Sequence, residues 1–223
     1  MFSLIDKIEK KYEFIKPRIE RKIKVNNHNL ILFKNYFYNI GFVKQFPDQD
    51  IESVYFDDSN LSFARSNING EFYRIKPRIR WYDNDLSKIN YEFKIKKGFN
   101  GFKVVSNDIY SQSLKKNELI NITKKFFNNF LKINLHETVS IKYKRSYLKH
   151  PSGIRLTLDK DLHYRSPKIN LNKSMKFEVI EFKYPTNKDN FFREVLFKSF
   201  AKLPIRLTKC SKYVEAVTSE YSN

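Results

Sequence analysis

The sequence predicts an α+β domain built on an antiparallel β-sheet or barrel. About eight segments with strand character follow one another, mostly in hairpin order, and only a few helices interrupt them. In several of these strands apolar residues alternate with charged ones, as expected for a sheet with two different faces. At 223 residues, the chain is long enough for one domain with a sizeable core.

Composition narrows the function to anion binding by a soluble domain. The chain has 43 Lys and Arg against 24 Asp and Glu, a formal net charge of +19. A hydrophobic content of 41% argues against a disordered chain. The single cysteine, Cys210, leaves no disulfide partner and no Cys-based zinc site. The apolar stretches are too short to span a bilayer, and the charged N-terminus is no secretory signal, so we expect a cytoplasmic protein.

Helices are predicted where apolar residues recur every three or four positions. Pro17 ends the first helix, and the second is capped by Asn26 or Asn27 and stops at Gly41. Segment 59–66 could equally be a loop. The predicted helical segments are 1–14, 27–40, 59–66, 114–131, 189–201 and 211–219.

Strands are predicted where β-branched and aromatic residues alternate with polar ones between turn signals. Asn69-Gly70 marks one turn, and the run 151–153 (Pro-Ser-Gly) marks another. Gly98 and Gly101 bend a third connection. The predicted strands are 18–25, 51–57, 71–82, 89–97, 102–106, 138–148, 154–162 and 174–184.

The long strand 71–82 carries four cations on one face, Arg74, Lys76, Arg78 and Arg80, while the interleaved positions are apolar or proline. For a single strand, the solvated outer face of an antiparallel sheet would be the simpler interpretation. Four neighbouring cations repel one another, however, and an ordinary wet face would mix charges or use Ser and Thr. A ligand of dense negative charge would remove that repulsion.

Other strands repeat this alternation, and some of their charged positions are acidic. Such carboxylates are compatible with a divalent metal that bridges to phosphate. In strand 174–184 a bulge near Ile180 is predicted, and in strand 138–148 Arg145 faces away from Lys142 and Lys144 unless a bulge intervenes. The charged positions expected to share the face are Arg18, Glu20, Lys22, Glu92, Lys94, Lys96, Arg155, Asp159, Glu181 and Lys183.

Eight short motifs resemble, in order, those of the VTC domain, the catalytic domain of the vacuolar transporter chaperone in the triphosphate tunnel metalloenzyme superfamily. Each motif alone is weak evidence for the family, whereas eight motifs in the same order are strong evidence. The resemblance implies one domain over residues 1–223, with an N-terminal helix at about 1–15. An eight-stranded antiparallel tunnel with a charged interior, flanked by helices, would span about 17–215. The motifs are IERK at 19–22, SVYFDD at 53–58, RIRWY at 78–82, EFK at 92–94, YKR at 143–145, IRLTLD at 154–159, IEFK at 180–183 and SKY at 211–213.

The resemblance also implies an activity and a site. The best-known members make polyphosphate from ATP with Mn²⁺, and relatives hydrolyse triphosphates or make cyclic nucleotides. Glu181 is the implied ligand of a divalent metal, Mn²⁺ or Mg²⁺, and Glu20 and Glu92 are further candidates. Additional substrate-binding candidates are Arg18, Lys76, Lys96 and Lys183. The implied catalytic phosphate ligands are Lys22, Arg78, Arg80, Lys94, Arg145, Arg155 and Lys212.

Two alternatives to polyphosphate synthesis remain open. A triphosphatase acting on ATP or inorganic tripolyphosphate would use the same site. Arg18 stands where the hydrolytic branch has a first glutamate (Glu-x-Glu-x-Lys), which favours the polyphosphate branch. A nucleic-acid-binding domain is less favoured, because its cations should lie on an open face. No SPX domain or membrane segment is recognisable in these residues, so any membrane partner is expected in another chain.

Asp57 is expected to end a strand and Asp58 to cap the next helix.

Overall fold

One long antiparallel sheet organises the chain. The computed structural model describes residues 2–11, 18–98, 100–109, 114–168, 171–200, 203 and 206–221. Most strands are longer than predicted, because the ladder of hydrogen bonds continues past the alternating apolar positions. The strands are β1 (Ile19–Val25), β2 (Val43–Asp57), β3 (Tyr73–Tyr82), β4 (Asp85–Lys97), β5 (Asn100–Ile109), β6 (His136–Lys149), β7 (Arg155–Arg165), β8 (Lys173–Ser174) and β9 (Glu178–Tyr184).

The sheet curls until its two ends meet. Its strand order is β1-β9-β7-β6-β2-β3-β4-β5, and β8 pairs with β7 off this path. The outermost strands β1 and β5 come together at a bridge between Arg18 and Gly101. Further along β1, Ile23 forms a bridge with Leu207. The sheet therefore has a concave side, here called the inner face, and a convex outer face, as the tunnel prediction requires.

The helices start and stop largely where the sequence predicts. The Asn26 side chain accepts a hydrogen bond from the Asn29 backbone N–H and caps α2, and Gly41 follows with a φ of 94°. Residues 1 and 12–14 of the first predicted helix and residue 201 of a later one lie outside the described residues. The helices are α1 (Phe2–Lys11), α2 (Asn27–Asn39), α3 (Ser62–Ile68), α4 (Lys116–Leu131), α5 (Asp189–Phe191) and α6 (Lys212–Tyr221); a 3₁₀ turn (Thr186–Lys188) precedes α5 and a π-helical turn (Phe192–Phe197) follows it. None of the helices in the described part of the chain is long and apolar enough to cross a membrane.

Two apolar cores cover the outer face. Helices α1 and α4 pack over β3 and β4, where Ile79 and Phe93 meet Phe127. Helix α2 and the turn after α5 pack over β7 and β9, where Phe37 and Phe182 are both fully buried. In these four strands, burying the apolar positions outward leaves the interleaved charged positions on the inner face.

A third apolar core lies on the inner face, at one end of the curled sheet. There Ile51, Val139 and Ile141 pack against Tyr213 and Val217 of α6. Helix α6 therefore sits inside the curl and fills that end. No pattern within one strand predicted this arrangement, because it joins β2 and β6 to a helix much later in the chain.

The structure corrects the predicted bulge in β9. That strand pairs with β1 and with β7 in unbroken register, so Ile180 is an ordinary strand residue. In the β6–β7 pair, β7 contains an extra residue opposite the Lys142–Lys144 segment of β6, and there Asp161 adopts a φ of 55°. The Glu178 carboxylate accepts a hydrogen bond from the Asp161 backbone N–H at 3.1 Å and supports this turn of the backbone.

Candidate active site

A cavity of about 320 Å³ occupies the rest of the inner face. That volume is at the lower end of the usual range for ligand sites, about 300–1,000 Å³. Every residue predicted as a catalytic phosphate ligand lines it, whereas Lys96 does not. The cationic residues on its wall are Arg18, Lys22, Lys76, Arg78, Arg80, Lys94, Lys103, Arg145, Arg155, Lys183 and Lys212.

Arg78 forms a salt bridge with the buried carboxylate of Glu92. Its guanidinium pairs with Glu92 and donates a hydrogen bond to the Tyr55 hydroxyl at 2.9 Å. Glu92 is fully buried and also pairs with Lys103 at 2.5 Å. Burial alone would raise the pKa of Glu92, but the charges of Arg78, Arg80 and Lys103 together outweigh burial and hold that pKa far below its ordinary value. Glu92 is absent from the cavity wall, so we assign it to holding Arg78 rather than to the metal set in which the sequence placed it.

Arg80 has a different environment. Its Nε donates to the Ser53 hydroxyl at 2.9 Å, and its Nη2 donates to the Tyr143 hydroxyl at 3.1 Å. None of the described carboxylates forms a salt bridge with it. The side chain is nevertheless buried, at 5% exposure. Arg80 is therefore a positioned cation whose charge remains available to an anion in the cavity.

Arg145 is fixed by a two-pronged contact with Asp159. The two bonds measure 2.5 and 2.7 Å, and Lys212 joins the same carboxylate at 2.5 Å. The Tyr143 ring faces both cations, at 5.3 Å from Arg145 and 4.6 Å from Lys212. Arg145 shares the inner face with Tyr143 by the ordinary alternation of β6, and Lys142 and Lys144 face the other way; the extra residue lies in β7, so β6 needs no bulge.

Of the carboxylates that the structure describes, Glu20 and Glu181 reach the cavity. Glu20 pairs with Lys94 at 2.6 Å, and Glu181 pairs with Lys183 at 2.8 Å and with Lys22 at 3.5 Å. Burial alone would raise the pKa of Glu20, but the charges of Lys94, Lys22 and Lys183 together outweigh burial and lower that pKa to about 2. Both acids are therefore ionised at neutral pH, since the pKa of Glu181 is also lowered against the effect of burial.

The donor set fits a divalent cation only in part. Within the described residues no group of three or more His, Cys, Asp or Glu side chains converges. Glu20 and Glu181 could supply hard oxygen ligands, and the remaining positions would fall to water and phosphate oxygens. Mg²⁺ and similar ions are commonly bound in this way, by one or two carboxylates and the substrate.

Several lysines of this region have lowered pKa values, because burial disfavours their charged form. Burial, reinforced by Lys94 and Lys22, lowers the pKa of Lys76 well below its ordinary value. Burial also lowers the pKa of Lys183 to about 7 and that of Lys103 to about 8. A polyanion in the cavity would reverse these shifts, because it would neutralise the crowded positive charge.

Sequence reasoning missed several wall residues. Tyr55 and Tyr143 hold the two central arginines, yet neutral residues give no signal in a search for charged positions. Lys103 lies directly across from Lys94 in the β4–β5 pair, so cross-strand register could have found it. Phe46 lines the cavity, is 54% exposed and packs edge-to-face against Tyr147.

The Asp57-Asp58 pair is structural, as predicted. Asp57 accepts hydrogen bonds from the Phe63 and Ala64 backbone N–H groups, both at 2.9 Å. Asp58 accepts one from the Ser62 backbone N–H at 3.0 Å. Both carboxylates therefore cap the start of α3.

Comparison with solved structures shows the same fold in other proteins. A protein from Pyrococcus horikoshii matches with a TM-score of 0.53 and 14% identity, over 91% of this chain and 99% of that one. A candidate adenylate cyclase from Vibrio parahaemolyticus matches with a TM-score of 0.54 and 13% identity, over 90% and 98%. An inorganic triphosphatase matches with a TM-score of 0.32 and 10% identity, over 92% and 97%. A search of curated proteins found no match.

The sequence itself identifies the family. The profile described as "VTC domain" matches residues 8–221, nearly the whole chain. That range contains the curled sheet, the cavity wall and α6. The chain therefore belongs to the VTC domain family.

Proposed function

We propose that this protein is a metal-dependent phosphoryl transferase that binds the triphosphate of ATP in the cavity and makes polyphosphate. One observation carries the proposal: cations from strands across the whole sheet converge on a single cavity that also holds two ionised carboxylates. Arg80 in particular keeps a buried charge that the described acids do not neutralise by direct contact. Membership of the VTC domain family supports the same chemistry.

Phosphoryl transfer needs little covalent chemistry from the protein. The reacting group needs positioning and stabilisation of its charge more than it needs a protein nucleophile. Arg78 and Arg80 would bind phosphate oxygens from one wall, and Arg145 from another. A divalent ion on Glu181 and Glu20 would neutralise further phosphate charge when bound. The rigid supports of the arginines, such as Glu92 and Asp159, keep them in place before the substrate arrives.

Hydrolysis of ATP or inorganic tripolyphosphate is the second candidate. The acceptor would then be water rather than phosphate or the end of a growing chain. The apolar core around α6 favours this candidate, since a water acceptor needs no route through the filled end of the sheet.

The products of ATP turnover distinguish the two candidates. The protein would be incubated with ATP and Mn²⁺, and the products separated on a gel. A ladder of polyphosphate supports synthesis, and free phosphate with ADP supports hydrolysis. The Arg80→Ala variant should be inactive in either case, whereas Lys125→Ala, which removes one exposed cation from α4, should behave as wild type. If neither product forms with Mn²⁺ or Mg²⁺, the proposal is wrong.

A further inference from the structure

One part of the cavity wall carries aromatic rings. Phe46 on β2 faces Tyr147 on β6 across the strand pair, and their rings pack edge-to-face at 5.8 Å. Tyr82, the last residue of β3, lines the same cavity. We call Phe46, Tyr82 and Tyr147 the aromatic corner. Gln45 and Leu148, their chain neighbours on the wall, are uncharged as well.

Hydrogen bonds hold the aromatic corner together. The Tyr147 hydroxyl donates to Gln49 Oε1 at 2.9 Å. Gln49 Nε2 in turn donates to the carboxylate of Asp83, the residue after Tyr82, at 3.3 Å. Burial raises the pKa of Tyr147 to about 12, and the neighbouring Tyr82 hydroxyl contributes to that rise. Tyr147 is therefore a fixed, uncharged ring at neutral pH.

Strand β2 is irregular on both sides of Phe46. The register of the β2–β6 pair shifts between Lys44 and Phe46 and again between Phe46 and Gln49, where Pro47 follows the ring. Gln45 and Phe46 consequently both line the cavity, although consecutive residues of a regular strand face opposite sides. Irregularities of this kind re-aim side chains, often beside active sites. They direct the Phe46 ring toward the cavity.

The Phe46 ring is free to contact a ligand. Scattered exposed apolar side chains are common on protein surfaces, but this ring is 54% exposed on the wall of a phosphate-sized cavity. An aromatic ring with a free face binds nucleobases by stacking. Its cross-strand partner Tyr147 lies two residues from Arg145 on the same face of β6, about 7 Å along the strand. The ribose of a nucleotide can bridge that separation between base and phosphate.

We propose that the aromatic corner binds the base of a nucleoside triphosphate, which stacks on the Phe46 ring while its phosphates lie among the arginines. This inference rests on the proposed function and names a nucleotide, rather than inorganic polyphosphate, as the phosphoryl donor. Stacking tolerates different bases, because every base has a π-face. ATP and GTP should therefore bind alike, and pyrimidine nucleotides should bind less tightly because their rings are smaller.

Ligands that differ only in the base test the inference without turnover. ATP, ribose 5′-triphosphate and inorganic tripolyphosphate would each be titrated calorimetrically into the metal-free protein in the presence of a chelator. The wild-type protein should bind ATP at least fivefold more tightly than ribose 5′-triphosphate. Phe46→Ala should remove that difference by weakening ATP alone, and Phe46→Trp should retain it. Val43→Ala, which truncates an exposed apolar residue of β2 outside the cavity wall, is the matched control and should behave as wild type.

Three results would overturn the aromatic-corner inference. They are equal affinity of the wild-type protein for ATP and ribose 5′-triphosphate, an equal loss of affinity for both in Phe46→Ala, and the same selective loss in Val43→Ala. None of them touches the proposed function while tripolyphosphate binds and Arg80→Ala weakens that binding. Failure of all three ligands to bind would instead overturn the proposed function.

Discussion

Replacing Arg78 should destabilise the fold far more than replacing its neighbour Arg80. The two arginines lie two residues apart on β3 and face the same cavity. Arg78 neutralises Glu92, which is fully buried, whereas within the described part of the chain Arg80 hydrogen-bonds only to the hydroxyls of Ser53 and Tyr143. The loss of stability on each replacement therefore depends on whether the arginine leaves behind a buried acid or two hydroxyls.

The expected energies follow from those partners. Removing one member of a buried ion pair costs about 3–5 kcal/mol, because the remaining charge stays buried. Lys103 still pairs with Glu92 after Arg78→Ala, so we expect a loss near the lower end, about 3 kcal/mol. Each neutral hydrogen bond contributes about 0.5–1.5 kcal/mol, and Arg80→Ala also removes the repulsion between neighbouring arginines. Its net cost should be about 1 kcal/mol.

Urea denaturation measures both values. Trp81 is the sole tryptophan and its side chain, on β3, is buried in the outer core, so its fluorescence reports unfolding. With a slope of about 2–3 kcal/mol per molar urea, Arg78→Ala should lower the midpoint by roughly 1–1.5 M and Arg80→Ala by less than about 0.5 M. Lys125→Ala should leave it unchanged. Equal midpoints for Arg78→Ala and Arg80→Ala would refute the role assigned to Glu92.

Four other perturbations test separate parts of the site. Glu181→Gln should abolish metal-dependent turnover yet leave tripolyphosphate binding without metal equal or tighter, by calorimetry with and without Mn²⁺; turnover at the wild-type rate would mean that Glu181 is not the metal ligand. Tyr143→Phe should weaken tripolyphosphate binding about three- to tenfold, because it frees one end of Arg80, and unchanged affinity would show that the hydroxyl positions nothing. Tripolyphosphate binding should take up protons, since the anion raises the lowered pKa of Lys76, and calorimetry in buffers of different ionisation enthalpy measures this uptake. The affinity for tripolyphosphate should therefore fall as pH rises, and Lys76→Gln should flatten that pH dependence. Burial raises the pKa of Glu178 to about 7, so near neutral pH the folded state holds a proton that the unfolded chain releases. This contribution to stability is lost as pH rises through 7. Glu178→Gln should therefore raise the urea midpoint at pH 8 but barely at pH 5, and an equal effect at both pH values would contradict this assignment.

Local patterns in the sequence determined which side chains face the cavity. In β3, the alternation of apolar residues with Arg74, Lys76, Arg78 and Arg80 determined the inner face, because successive strand residues point to opposite sides. Burial of the apolar set against α1 and α4 left no other orientation for the cations. Capping residues such as Asn26 likewise marked a helix start from local chemistry alone.

Register was decided by the partner strands. The bulge predicted near Ile180 is absent, and the irregularity occurs beside Lys142, opposite Asp161. A bulge adds one residue to one strand of a pair, so its position depends on both strands and on what supports the extra residue. Here the support is Glu178, which belongs to a third strand. A single strand's pattern contains none of that information.

The neutralisation of charge and the closed end of the cavity were decided by tertiary structure alone. Glu92 and Glu181 occupy similar strand positions in the sequence, yet one is buried behind Arg78 and the other faces the cavity. Helix α6 enters the curl from the far end of the chain and stacks Tyr213 on Tyr55, 158 residues earlier in the sequence (213 − 55). Sequence periodicity reports which way a side chain points from its own backbone. Which group it then meets depends on how distant segments pack, and here that packing decides which cations stay free to bind an anion.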